Sequence, residues 1–323
     1  MGNVDLSSIL SIALFASALR MATPIIFATM GGIFSSHTGI FNVGLEGFML
    51  IGSFFAVYGS VQTGSPLGGL LFAIIACLVA SLVFAVLHLE LKANPIIVGL
   101  AMNIVAIGMT NYFLTALLDV YGVYKTDLIV GFSEVEIPLI HQIPILGDLI
   151  SGHFPLVYIS FVSVYIVYLV LYKTPFGFHL RAVGEKIDAA ESIGVNTKRM
   201  KYYGLLVSGF LCAFGGTFLS LSYLTLFSEE MTAGRGWLAL AAINFGRMRP
   251  VPSLMACLIF GFADALAVRL QQFGLPSQVV LMLPYLMTLI VLFISAVVAE
   301  RRKKSKKNKD NQDGIEFAAP MPS

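Results

Sequence analysis

Nine stretches too apolar for water recur along this chain, at residues 8–34, 47–58, 67–88, 96–117, 154–172, 203–224, 237–245, 251–270 and 279–298. Most approach the roughly 20 residues that an α-helix needs to cross a bilayer core. They run continuously, without the in–out alternation of membrane barrel strands. Backbone groups in hydrocarbon must bond within their own segment, so the expected fold is all-α: a polytopic helix bundle of about nine spans, with eight to ten allowed by a break at Pro24. A charged fraction of 12%, against about 25% in ordinary soluble domains, leaves no separate soluble unit. We therefore expect one membrane domain over residues 1–300 and a basic, disordered tail over 301–323.

Charge sets the expected topology. Seven bases (Arg301, Arg302, Lys303, Lys304, Lys306, Lys307 and Lys309) follow the last apolar run and place the C-terminus in the cytoplasm of an inner membrane. Contact with anionic lipid accounts for such a tail, so no nucleic-acid partner is expected. Counting back, the 119–153 loop, with five acids against Lys125, falls outside. The 173–201 loop, with six bases against three acids, falls inside, and nine spans leave the N-terminus outside. No basic n-region or small-residue cleavage site opens the chain, so no cleaved signal peptide is expected.

Polar groups in apolar spans are expensive and mark candidate functional positions. In the 35–46 hinge, Asn42 and Glu46 stand among Gly39, Gly44 and Gly47, which suit either unwound backbone lining a path or an ordinary cytoplasmic turn. Asn103 and Asn244 are either path residues or amides bonded to broken helix. Asp264 is either a substrate contact or a counterion for Arg20 or Arg269. The 237–245 segment is too short to span and reads as a half-helix, with the aromatics Tyr223, Phe227 and Trp237 nearby. Trp237 fits an interfacial anchor equally well. Ser208, Cys212, Gly216 and Ser220 recur every fourth residue and form a helix-packing stripe. Cys77, Cys212 and Cys257 read as small packing residues.

Among catalytic and cofactor signatures the chain shows no P-loop, no His-Glu-x-x-His, no Gly-x-Ser-x-Gly and no clustered histidines. A transport subunit without resident metal or cofactor is expected, not an enzyme. An ion-coupled secondary transporter, with Glu46 or Asp264 as the coupling carboxylate, is the competing class.

Three stretches carry a family resemblance. Residues 22–26 lead into Gly-Ile-Phe-Asn-Val-Gly-Leu-Glu-Gly at 39–47 and on to Gly52; Arg-Ala-Val-Gly-Glu at 181–185 leads to Ile-Gly-Val-Asn at 193–196; and Met-Thr-Ala-Gly-Arg-Gly-Trp at 231–237 leads to Phe-Gly-Phe-Ala-Asp at 260–264. With residues 281–287 they cover most of the chain. It resembles the inner-membrane permeases of bacterial ABC importers for ribose-type sugars and nucleosides, nearest the nucleoside branch, although the family's extra N-terminal span has no counterpart. The resemblance implies a type II-like importer architecture, with a coupling helix at residues 184–196 that docks on a separate ABC ATPase holding ATP and magnesium. Gly184, Glu185, Ile187, Asp188, Ala189, Ala190 and Gly194 would form that surface. Ile187, Ala190 and Ile193 would share one side, and Gly194 would end the helix. It further implies a second homologous permease, in a heterodimer, and an external solute-binding protein or lipoprotein. Nucleosides are the expected cargo, with simple sugars or riboflavin as alternatives.

Overall fold

A computed structural model describes residues 12–135, 151–271, 282, 286 and 287. The expected span at 279–298 falls almost wholly outside these, and so do the 301–323 tail and part of the 119–153 loop. The described residues form α1 (Ile12–His37), α2 (Leu45–Thr63), α3 (Pro66–Leu89), α4 (Pro95–Leu118), α5 (Pro155–Lys173), α6 (Pro175–Glu185), α7 (Ile187–Ser192), α8 (Thr197–Thr217), α9 (Arg235–Phe245) and α10 (Pro250–Gln271). A π-helical stretch, Phe218–Tyr223, prolongs α8. Two short strands, β1 (Val123–Tyr124) and β2 (Phe227–Ser228), pair antiparallel.

Six of the described helices are long and apolar enough to cross a membrane. α2, with 19 residues, and α9, with 11, lie outside that group. The count of nine spans is thus not reached among the described residues. α2 carries Glu46, three glycines and two serines because most of its length is buried by protein, and such a helix need not satisfy lipid. α1 runs through Pro24 without a break.

Proline opens several helices, at Pro66, Pro95, Pro155, Pro175 and Pro250, where its missing N–H has no intrahelical partner to lose. Asn94 and Asn196 cap α4 and α8 by accepting from Ile96 N and Arg199 N.

Contacts sort the connections into two ends. At the acidic end Ser60 Oγ donates to Val130 O (2.8 Å), β1 meets β2, and Arg20 pairs with Glu134 (3.3 Å). At the basic end His37 meets Met248, and Lys198 meets Glu90. Between them α1, α2, α3 and α8 form the core, centred on Phe27, Phe48, Phe54, Phe84 and Phe218.

The packing stripe of α8 faces inward: Ser208, Cys212 and Ser220 are fully buried, and a Cβ on Gly216 would fall 2.2 Å from Met49 O of α2. All three cysteines are buried and free.

The 38–44 segment is not a surface turn at the basic end. It folds back into the bundle, where Asn42 Nδ2 donates to Ser208 Oγ (3.0 Å), halfway along α8. Two helices therefore begin inside the protein, α2 after Gly44 and α9 after Gly234. Their first amides have no partner within their own helices and need acceptors from elsewhere.

Candidate functional site

Those acceptors are side chains from other elements. Gly47 N of α2 donates to Asn103 Oδ1 (2.8 Å), and Asn103 Nδ2 returns a bond to Val43 O (3.1 Å). Gly44 N donates to Asn42 Oδ1 (3.0 Å). At α9 the N-cap is Gly234, in the left-handed region (φ 82°), with no side chain to offer. Glu46 supplies the cap instead: Gly234 N donates to Oε1 (2.8 Å) and Gly236 N to Oε2 (2.5 Å). A carboxylate at the positive end of a helix is favourable in sign as well as in hydrogen bonding. Close approach demands glycine at 236, where a Cβ would fall 2.5 Å from Glu46 N.

Glu46 and Asn103 also line a cleft of about 420 Å³ among α2, α4, α9 and the 230–234 segment. Glu230, Thr232 and Trp237 complete its polar and aromatic lining, and Leu50, Leu100 and Ile104 its apolar wall. Trp237, one of the lining residues, is 44% exposed. The volume suits a small molecule. Among the described residues no basic side chain lines the cleft and two carboxylates do, so its chemistry disfavours an anion and suits a solute with hydroxyl or amine donors.

The cleft thus brings together Glu46, Asn103 and Trp237, and leaves the other candidates elsewhere. Asn42 is used up in the hinge. Phe227 is shut in the core, edge-on to Phe54 at 5.3 Å. Tyr223 stacks on Phe218, and Asn244 Nδ2 donates to Leu240 O of its own helix (3.1 Å). Asp264 lies by Arg235 (3.8 Å), not by the expected Arg20 or Arg269. Arg20 is engaged at the acidic end by Glu134, by Gly152 O (2.9 Å) and by His153 Nδ1 (3.1 Å). Glu230, Thr232 and Arg235 lie in the glycine-rich 229–237 run, which the sequence marks as the lead into the half-helix, but their individual partners are distant in sequence and become visible only in the fold.

The 173–201 stretch forms an arm at the basic end. The expected single helix over 184–196 is corrected: Gly184 and Glu185 finish α6, Lys186 is extended (φ −150°), and α7 has only six residues. The shared side is corrected too. Ala190 is 1% exposed, closed against Val183 and Val195, whereas Ile187 and Ile193 are 43% and 65% exposed. The bend at Lys186 swings α7 so that its alanine seals the arm's own small core. Asp188 and Ala189 are exposed beside the two isoleucines, and Gly194 takes φ 83°, ending the segment. Gly184 has another role. A Cβ there would fall 2.1 Å from His37 O, so the arm seats directly on the hinge.

Beyond α3, Glu90 accepts from Lys198 Nζ (2.7 Å) and Tyr202 Oη (2.8 Å), tying α3 to α8. The Lys198 bond, then the Tyr202 bond, hold its carboxyl below the usual range. A depressed carboxylate contributes stability above its unfolded pKa and loses it as pH falls through the folded value. Between about pH 5 and pH 3 the wild type should therefore lose more thermal stability than Glu90→Gln. Parallel melting curves of the two proteins in detergent would contradict this.

A bundle of long apolar helices, two helices beginning inside the protein and a cleft between them define a polytopic membrane permease. The profile of the family described as "Branched-chain amino acid transport system / permease component" matches residues 14–292, and the chain belongs to that family. It is 34% identical over 303 residues to a guanosine ABC transporter permease of Bacillus subtilis, covering 90% of this chain and 93% of the relative. It is 35% identical over 289 residues to a nucleoside ABC transporter permease of Lactococcus lactis, covering 86% and 90%. A second guanosine ABC transporter permease of the same Bacillus is 28% identical over 88% of this chain and 81% of its own length. Among solved structures, an inward-facing transporter described as of the metal-chelate ABC type shares the fold (TM-score 0.51, 14% identity, 91% of each chain). The chain is accordingly a multi-pass membrane transport subunit, and permeases of ABC importers work with an ATPase and a substrate-binding protein.

Proposed function

We propose that this chain is the permease subunit of an ATP-driven importer for nucleosides. The observation that carries the reading is the end-to-end likeness, at 34% and 35% identity, to permeases named for guanosine and nucleosides. The cleft supports it: Trp237 offers a face for a base, and Glu46, Thr232 and Glu230 offer acceptors for sugar hydroxyls. Glu46 is already bonded to two amides, yet each carboxylate oxygen keeps acceptor capacity.

ATP and magnesium belong on the partner ATPase, which would dock on the arm through Ile187, Asp188, Ala189 and Ile193. Two guanosine permeases of one Bacillus both match this chain, which favours a second, non-identical permease beside it. The basic tail favours a cytoplasmic C-terminus.

The test is uptake by the complete transporter in proteoliposomes, with labelled guanosine, adenosine and ribose. Nucleoside uptake should require ATP and survive an uncoupler. Uptake that ignores ATP and collapses with the proton gradient would refute the reading.

Because Ala190 is internal, the docking test belongs on the exposed isoleucines. Ile187→Asp with Ile193→Asp should cut co-purification of the ATPase by about tenfold or more, since buried apolar anchors dominate interfaces. Undiminished co-purification would exclude this docking surface.

A further inference from the structure

Both ends of α9 are bonded to the same short segment. At its start, Gly234 N and Gly236 N donate to Glu46. Just past its end, Met248 O accepts from His37 Nε2 at 2.9 Å. His37 and Glu46 bound the hinge, which is pinned between them by Asn42 to Gly44 N and to Ser208. The hinge and the half-helix thus close a ring of non-covalent joints. On the outside of that ring sits the arm, with Gly184 packed on the His37 carbonyl closely enough to exclude a methyl group. On its other side, Glu46 and Trp237 line the cleft.

We propose that residues 37–46 and α9 move as one rigid lever that carries motion of the cytoplasmic arm to the cleft, with His37 and Glu46 as the positioning residues that hold its two ends. The proposal rests on the importer reading, because it presumes an ATPase pushing on the arm. A carboxylate taking two backbone amides of a buried helix start is a charge-assisted joint, stronger than the neutral contacts around it. A non-helical segment fastened at both ends to a half-helix can then transmit displacement without stretching. Glycine at 184 and at 236 puts backbone against backbone at both transfer points, with no flexible side chain to absorb the motion.

The experiment uses the complete transporter in proteoliposomes and reads nucleoside moved per ATP hydrolysed. Glu46→Gln replaces one acceptor oxygen by a donor that faces a backbone N–H. It should lower that ratio by about tenfold; His37→Ala, which removes the joint at the other end and lies outside the cleft, should lower it as well while the concentration for half-maximal uptake shifts less than about twofold. Glu46→Asp, which keeps the charge, should fall between. A ratio at the wild-type level in Glu46→Gln overturns the proposal.

A second measurement does not depend on how well that variant folds. His37→Cys with Met248→Cys removes one joint, and a short bifunctional thiol reagent restores it covalently; the native cysteines are all buried and do not compete. Cross-linking should raise the ratio toward wild type, because it locks parts that do not move against each other. Cross-linking that abolishes ATP-driven uptake means the hinge and α9 slide past one another, and it overturns the lever alone. Wild-type uptake that needs no ATP overturns the importer reading, and the lever with it.

Discussion

Replacing Arg235 by alanine is expected to destabilise the protein by about 3 kcal/mol, the penalty typical of leaving a buried charge without its partner. Arg235 and Asp264 are 16% and 14% exposed, and the pair joins the start of α9 to the middle of α10. Neither charge reaches water freely, so removing one strands the other. Asp264→Asn in the Arg235→Ala background should recover most of the loss, because an amide needs no counterion. Chemical unfolding in detergent at neutral pH measures both. A single variant as stable as wild type, or a double variant no better than the single, would show that the pair is not what satisfies Asp264.

The second large effect is expected at Gly216. A Cβ there would meet Met49 O at 2.2 Å, Ser53 N at 2.7 Å and Gly52 C at 3.0 Å, all of them backbone atoms. Ser53 Oγ also donates to Gly216 O across the same contact (3.0 Å). No rotamer change relieves a clash with backbone, so α2 and α8 must separate. Separation would lose that bond and the packing along the stripe. Gly216→Val should therefore destabilise by about 3 kcal/mol or more and lower the yield of folded protein. Alanine at Ser220, one turn on, replaces a hydroxyl whose bond to Gly216 O is long at 3.3 Å and should be far milder. Equal unfolding midpoints for Gly216→Val and wild type would refute the close-packing account.

The helices were legible because lipid imposes a simple rule, and the stripe from Ser208 to Ser220 because it repeats with the helix period. The hinge was legible only as two alternatives: its glycines and Asn42 allow both a surface turn and a buried re-entry, and only the bond to Ser208 separates them. The arm's inner geometry is not legible in the sequence. Its periodicity suggested one helix, and the bend at Lys186 depends on Val183 and Val195 closing over Ala190. Asp264 stands out in the sequence by its charge, while its pairing with Arg235, in the glycine-rich run before the half-helix, is set by tertiary contact alone. Glu90 carried no signal, since its partners lie more than a hundred residues away.

By itself the sequence determined that this chain crosses a membrane repeatedly, that its acidic and basic loops lie at opposite ends, and that its likeness is to importer permeases. These follow from local hydropathy, loop charge and ordered motifs, none of which requires knowing which helix touches which. Only the tertiary structure decided which polar residues share a cleft, which are consumed as caps, and that the 37–46 hinge is bonded to both ends of α9. A buried helix start takes whatever acceptor the fold brings near, and for α9 that is a carboxylate 188 residues away.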